Sequence, residues 1–200
     1  MGVRVLVASL AVGMRLALTA AASPPLRVTI VGDSVAASLN YVPSARVLLR
    51  PGMTLQLILK VCRRLVIASC PYNGQAPTTA LQAVRAYGRS LGDVLVVDVG
   101  YNEDGRGYQE GIDMLMHAAL AQGAGHVVWV TLRQTRPVYR PANDAIRQAA
   151  KRWPQLIVAD WNAYSAGKPW FRDDGLHLTP AGADGLASLL RGSVLEAEGR

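Results

Sequence analysis

The chain has few of the side chains that build metal centres and covalent frameworks. It carries two cysteines, three histidines and one phenylalanine in 200 residues. Cys62 and Cys70 have no histidine near them, too few donors for a tetrahedral metal site, so no metal is expected. Acidic residues are also scarce: 14 Asp and Glu stand against 21 Lys and Arg, a formal net charge of +7. The basic clusters Arg63-Arg64 and Lys151-Arg152 are short, with no aromatic repeat between them and no nucleic-acid motif. Nucleic acid is therefore not an expected partner. Most of the charge reads as solvated surface, with an electrostatic attraction to anionic envelope polymers or lipid head groups. No apolar run beyond residue 22 is long enough to span a bilayer. Internal repeats, low-complexity tracts and interdomain linkers are missing as well.

Residues 1–22 have Arg4, an apolar stretch and then Ala20-Ala21-Ala22, a small-residue cleavage pattern. This reads as a secretory signal, although Arg15 interrupts the apolar run; the alternative is an uncleaved anchor. Residues 23–200 are expected to form one domain, secreted or in the cell envelope, and monomeric. Cys62 and Cys70 agree with export. In an oxidising compartment they pair and close a small loop, worth roughly 2–3 kcal/mol; otherwise they are two buried thiols.

Apolar runs near 27–31, 54–61, 94–99, 126–132 and 156–160 read as strands. Helical patterns fall near 34–49, 78–91, 108–122, 141–153 and 180–191, with Pro141 and Pro180 near two starts. Alternating β and α with strands this apolar predicts an α/β protein, a three-layer α/β/α sandwich around a flavodoxin-like parallel five-stranded sheet. The longest irregular stretches are 62–77 and 161–178, where sites tend to sit.

Gly32-Asp33-Ser34 lies where the first strand meets the first helix. A serine there has its hydroxyl lifted off the sheet edge, beside helix N–H groups that steady negative charge. Asp and Ser are also ordinary helix caps, and the tripeptide alone favours that plainer reading. Near the other end, Asp174-Gly175-Leu176-His177 puts a carboxylate three residues before an imidazole. A turn there brings the Asp oxygens to one ring nitrogen and leaves the other to take a serine proton. The plain alternative is a helix-capping Asp and a solvated His. His117 is mid-helix and His126 starts a strand at the opposite edge, so His177 is the histidine placed to act as a base. Asn102 follows the third strand in Gly100-Tyr101-Asn102, where its amide can face an oxyanion or simply serve a loop. Tyr101, Arg133, Trp161 and Trp170 either line a pocket or anchor loops, with anchoring rated at least equal. Asp98 and Asp160, at strand ends, are read as loop-orienting groups.

These residues resemble the SGNH hydrolases, the GDSL-type esterases and lipases. That family has Gly-Asp-Ser in its first block, Gly-x-Asn in its third and Asp-x-x-His in its last, and the resemblance spans about residues 27–191. It implies Ser34 as nucleophile, His177 as base, Asp174 as orienting carboxylate and Asn102 as oxyanion donor. Val35 stands where the name motif has Leu, and Glu103 where many members have Asp. The family's second block supplies a glycine N–H to the oxyanion hole. Gly74, 28 residues before Asn102, is the choice here, with the backbone N–H groups of Cys62 and Arg63 as rivals. The implied activity is hydrolysis of carboxylic esters, short acyl or O-acetyl groups on lipid or glycan, with no cofactor. The alternatives are an O-acyltransferase acting on envelope polysaccharide and a non-catalytic glycan-binding module on the same scaffold.

Overall fold

Five short, largely apolar runs form the strands of one sheet. They are β1 (Leu26–Gly32), β2 (Met53–Leu59), β3 (Val94–Asp98), β4 (His126–Val130) and β5 (Leu156–Ala159). The structure is a computed structural model and describes Gly2 and residues 24–199. The segment read as a secretory signal lies, apart from Gly2, outside the described residues.

All four strand pairings are parallel, in the order β2-β1-β3-β4-β5. Every residue of β3 is buried, as are the last five of β1 and the last four of β4. Strands covered on both faces need no polar alternation, which is why they read as continuous apolar runs. The helices are α1 (Ser38–Tyr41), α2 (Pro43–Leu49), α3 (Ala80–Tyr87), α4 (Tyr108–Ala121), α5 (Tyr139–Arg152), α6 (Trp161–Tyr164) and α7 (Pro180–Glu198). α1 and α2 pack with α7 in one layer, while α3, α4 and α5 pack in series in the other. This is the expected three-layer sandwich.

The sheet order reverses between β1 and β3. Connections on the two sides of that point leave toward opposite faces and open a crevice at the carboxyl ends of the strands. Ser34 follows β1 and Asn102 follows β3, so both lie at this crevice.

The elements depart from expectation in four places. Residues 34–37 form turns, and the expected first helix divides at Val42, where Pro43 starts α2 in the position that needs no N–H. α5 begins at Tyr139, two residues before Pro141, whose missing N–H is still harmless in the first turn. The short α6 falls inside the 161–178 stretch, capped by the Asp160 carboxylate accepting from the Ala163 N–H at 3.2 Å. α7 runs on to Glu198 because Val194 and Ala197 extend its buried stripe.

Cys62 and Cys70 are disulfide-bonded and close the loop after β2. By the loop-entropy estimate, replacing both with serine lowers unfolding free energy by about 2–3 kcal/mol. Denaturant midpoints of the two proteins, measured without reductant, test this.

Candidate active site

The turn after β1 starts from a close approach. A Cβ on Gly32 would lie 2.3 Å from the Ala36 Cβ and 2.9 Å from Leu59 Cδ2, so only glycine lets the chain turn there. Asp33 is completely buried. One carboxylate oxygen accepts the Val35 N–H at 3.0 Å; the other accepts the N–H groups of Gly100 and Tyr101, each at 3.3 Å. The Asp33 N–H donates to the Asp98 carbonyl at 3.0 Å. Asp33 thus caps its own turn and also stitches the end of β1 to the loop after β3. Ser34 sits above it, partly exposed. Among the described residues, no hydrogen bond occupies the Ser34 N–H.

The loop before α7 brings the second part. His177 Nε2 lies 3.1 Å from Ser34 Oγ, and His177 Nδ1 lies 2.6 Å from Asp174 Oδ2. The other Asp174 oxygen accepts the N–H groups of Leu176 at 2.8 Å and His177 at 2.9 Å. The Asp-x-x-His spacing therefore works as a turn: one oxygen fixes the backbone while its partner fixes the ring. The Nδ1 contact favours the tautomer with its proton on Nδ1, leaving Nε2 as an acceptor toward serine.

This loop is held from three sides. The Arg172 N–H donates to the His177 carbonyl at 2.8 Å, closing the loop on itself. Arg133 places its guanidinium 3.6 Å from the centre of the Phe171 ring and hydrogen-bonds the Gly175 carbonyl. Trp170 stacks on the buried Trp161 at 5.7 Å and sits against α7, where a Cβ on Gly182 would come within 2.1 Å of the Trp170 carbonyl. Tyr101 is buried, and its hydroxyl accepts the Arg133 N–H at 2.8 Å. Tyr101, Arg133, Trp161 and Trp170 are thus loop anchors here. Arg133 bonded to Gly175 has no sequence signal, because the two residues are joined only through the fold.

Asn102 Nδ2 donates to the Arg63 carbonyl at 3.2 Å, and Glu103 Oε1 accepts the Leu65 N–H at 2.5 Å. The loop after β3 is thereby fastened to the loop after β2. Gly74 lies elsewhere: it is at the exposed tip of the Tyr72–Gln75 turn, with no hydrogen bond to Ser34, Asn102 or His177 among the described residues. Cys62, one residue before the Asn102 partner, has φ 66°, a conformation that favours glycine. Among the described residues no hydrogen bond occupies its N–H. His117 packs edge-on against Trp153 on the outer layer, and His126 begins β4 at the far edge.

The carboxylates differ sharply. The hydrogen bonds from His177 and from the Leu176 N–H hold Asp174 down at about 2, so it stays ionised at any ordinary pH. Burial pushes Asp33 up to about 6, opposed by its three N–H donors and by His177. Burial, and next the neighbouring Asp33, push the Asp98 carboxyl well above its usual range. Its Oδ2 is buried with no partner among the described residues, so it orients no loop through that atom. Asp160 does: it accepts from the Thr131 hydroxyl at 2.8 Å and pairs with Arg147 at 3.1 Å. Among the described residues no group of three or more His, Cys, Asp or Glu side chains is arranged to hold a metal.

No protein-family model and no curated protein sequence matches the chain. Solved structures do. The catalytic domain of peptidoglycan O-acetyltransferase A from Streptococcus pneumoniae superposes with a TM-score of 0.67 at 22% identity, over 88% of this chain and 96% of that one. The fold is that of the SGNH hydrolases. A carbohydrate acetylesterase family member from Sinorhizobium meliloti gives a TM-score of 0.66 at 13% identity, over 88% of this chain and 100% of that one. The psychrotrophic esterase EstA from Pseudoalteromonas sp. gives 0.64 at 13%, over 87% and 99%. At such identities the SGNH fold is shared while the individual side chains are largely this chain's own.

Asp33→Asn puts an amide N–H₂ against at least one backbone N–H and is expected to cost about 1–3 kcal/mol. The wild-type group has its pKa raised on folding. Its stabilising contribution is complete below the unfolded value near 3.8 and is lost as pH rises through about 6. The stability gap between wild type and Asp33→Asn therefore narrows from pH 4.5 to pH 7.5, as urea midpoints at the two pH values will report.

Proposed function

We propose that the chain is an exported serine esterase that cleaves short acyl or O-acetyl esters of lipid or glycan through an acyl-enzyme. The reading rests on one observation: the Ser34 hydroxyl is in hydrogen-bond reach of His177, whose other nitrogen is held by an ionised Asp174. Serine is a weak nucleophile until a base takes its proton. His177 Nε2 accepts that proton as Ser34 Oγ bonds to the ester carbon. Asp174 keeps the ring oriented and stabilises the imidazolium. The oxyanion is met by the unoccupied Ser34 N–H and by the Asn102 amide. The second backbone donor is the Cys62 N–H in preference to Gly74, because Asn102 is fastened to the loop after β2. The imidazolium then gives its proton to the leaving alcohol as the carbon–oxygen bond breaks. Water, deprotonated by His177, attacks the acyl-enzyme and releases the acid. No cofactor enters this sequence.

Export is supported by the disulfide and by the signal-like first 22 residues. The Pseudoalteromonas neighbour is described as an esterase and the Sinorhizobium neighbour as a carbohydrate acetylesterase family member. A second reading has its own support, since the Streptococcus neighbour is an O-acetyltransferase. The same acyl-enzyme then passes its acyl group to a sugar hydroxyl in place of water.

Ser34→Ala is expected to abolish hydrolysis of p-nitrophenyl acetate with the circular dichroism spectrum unchanged, and a fluorophosphonate should label Ser34. A mass shift mapped to another residue rejects the nucleophile. Asn102→Ala should lower kcat about 10²–10³-fold if its amide meets the oxyanion. Mass spectrometry of products formed with and without an oligosaccharide acceptor separates the two readings: acetylated acceptor means transfer, free acetate alone means hydrolysis.

A further inference from the structure

A cavity of about 630 Å³ opens beside the serine on the β2 side, well within the range of small-molecule sites. Ser34 is not in its wall. The wall begins at Ala37 and continues through Asn40 and Tyr41 to Lys60, Tyr72 and Gln75. The chain from Ser34 to Asn40 climbs in tight turns, with Ser38, Leu39 and Asn40 each donating to the carbonyl three residues back. In such turns residues three apart lie in one row. Ser34, Ala37 and Asn40 form that row, and all three are at least partly exposed while Val35, Ala36, Ser38 and Leu39 are buried. A surface track therefore leads from the serine hydroxyl into the cavity.

The far wall is preformed. Tyr72 and Gln75 exchange both backbone hydrogen bonds, at 2.9 and 3.1 Å, and Asn73 and Gly74 between them have φ 51° and φ 79°. Two left-handed residues in a two-residue turn make a tight, twisted hairpin tip. The Cys62–Cys70 disulfide ties down the segment leading to it.

The lining joins apolar side chains, Leu59, Val61, Ala76 and Pro77 among them, to aromatic and polar groups. Tyr41 and Tyr72 are 53% and 52% exposed, offering apolar ring faces with hydroxyl tips. Asn40, Asn73 and Gln75 bring side-chain amides that both donate and accept. Lys60 is the single charged residue of the wall, and no carboxylate lines it. Among the described residues its ammonium has no ion-pair partner. Flat apolar faces ringed by amides suit the C–H faces and hydroxyls of a sugar. The lone cation selects a sugar that carries a carboxylate.

From this juxtaposition we propose that the cavity is a subsite for an acidic saccharide, the alcohol side of the ester, with Lys60 pairing with a sugar carboxylate one or more units from the reacting group. The assignment rests on the esterase reading of Ser34 and specifies its substrate class.

Binding and turnover can be tested separately. Calorimetry on the full chain carrying Ser34→Ala, titrated with tetragalacturonate and with the neutral xylotetraose, reads the cavity without catalysis. Tetragalacturonate should bind more tightly, and added salt should reduce its advantage. Adding Lys60→Gln should weaken tetragalacturonate about three- to fivefold, as for a partly exposed ion pair, and leave xylotetraose unchanged. Tyr72→Ala should weaken both. Equal binding of the two saccharides, or no effect of Lys60→Gln, overturns the proposal. So does a Tyr72→Ala protein that loses p-nitrophenyl octanoate hydrolysis but still binds saccharide, which would make the cavity an acyl pocket. Saccharide binding as expected, with a wild-type protein inert toward every ester, sinks the esterase reading and leaves the subsite standing.

Discussion

The buried carboxylate of Asp33 is the constraint on which the site depends. It has no contact with solvent, yet it accepts three backbone N–H groups from two loops that meet across the strand-order reversal. A buried carboxylate without such donors would cost several kcal/mol in lost hydration. With them it fixes the turn that lifts Ser34 and the loop that carries Asn102 as one unit. Asp98 lies on the adjoining strand end, where burial first and the neighbouring Asp33 second push its carboxyl well above the usual range.

The imidazole arrives by a different route. Its loop has little regular structure of its own and borrows order from its surroundings. Trp170 is wedged between Trp161 and the glycine side of α7, Arg133 spans from Phe171 to Gly175, and Asp174 accepts the backbone N–H groups of Leu176 and His177. Each contact is modest, but together they place a ring nitrogen 3.1 Å from a hydroxyl 143 residues away in sequence. Rigid supports of this kind let a loop deliver a side chain with the tolerance that proton transfer needs.

The two halves also differ in what they leave open. The Asn102 side is closely fastened, with Asn102 and Glu103 both bonded to the loop after β2. Beyond it, the same loop opens into a cavity walled by apolar side chains, tyrosines, amides and one lysine. The Ser34–His177 pair thus adjoins a roomier cavity of mixed polar and apolar lining.

The strands, their order of appearance and the residues at their carboxyl ends were legible in the sequence. Buried parallel strands must be apolar throughout, and a strand-to-helix turn needs small and capping residues, so local chemistry marks both. Asp174 with His177 was legible for the same reason: three residues suffice to form the turn that joins them. Helix ends were less so, because Val42-Pro43 and the short α6 are decided by packing and not by propensity alone. Gly74 illustrates the limit. Glycine marks backbone freedom, but the first left-handed residue after β2 is Cys62, which no composition rule distinguishes. The sequence by itself determined an α/β sandwich with a serine at a strand end and an imidazole and a carboxylate in one turn. Only the tertiary structure decided that they meet, that Arg133 and Trp170 hold the meeting, and that a cavity with a single cation adjoins it. Those facts depend on contacts between segments far apart along the chain, and no local pattern encodes a distance.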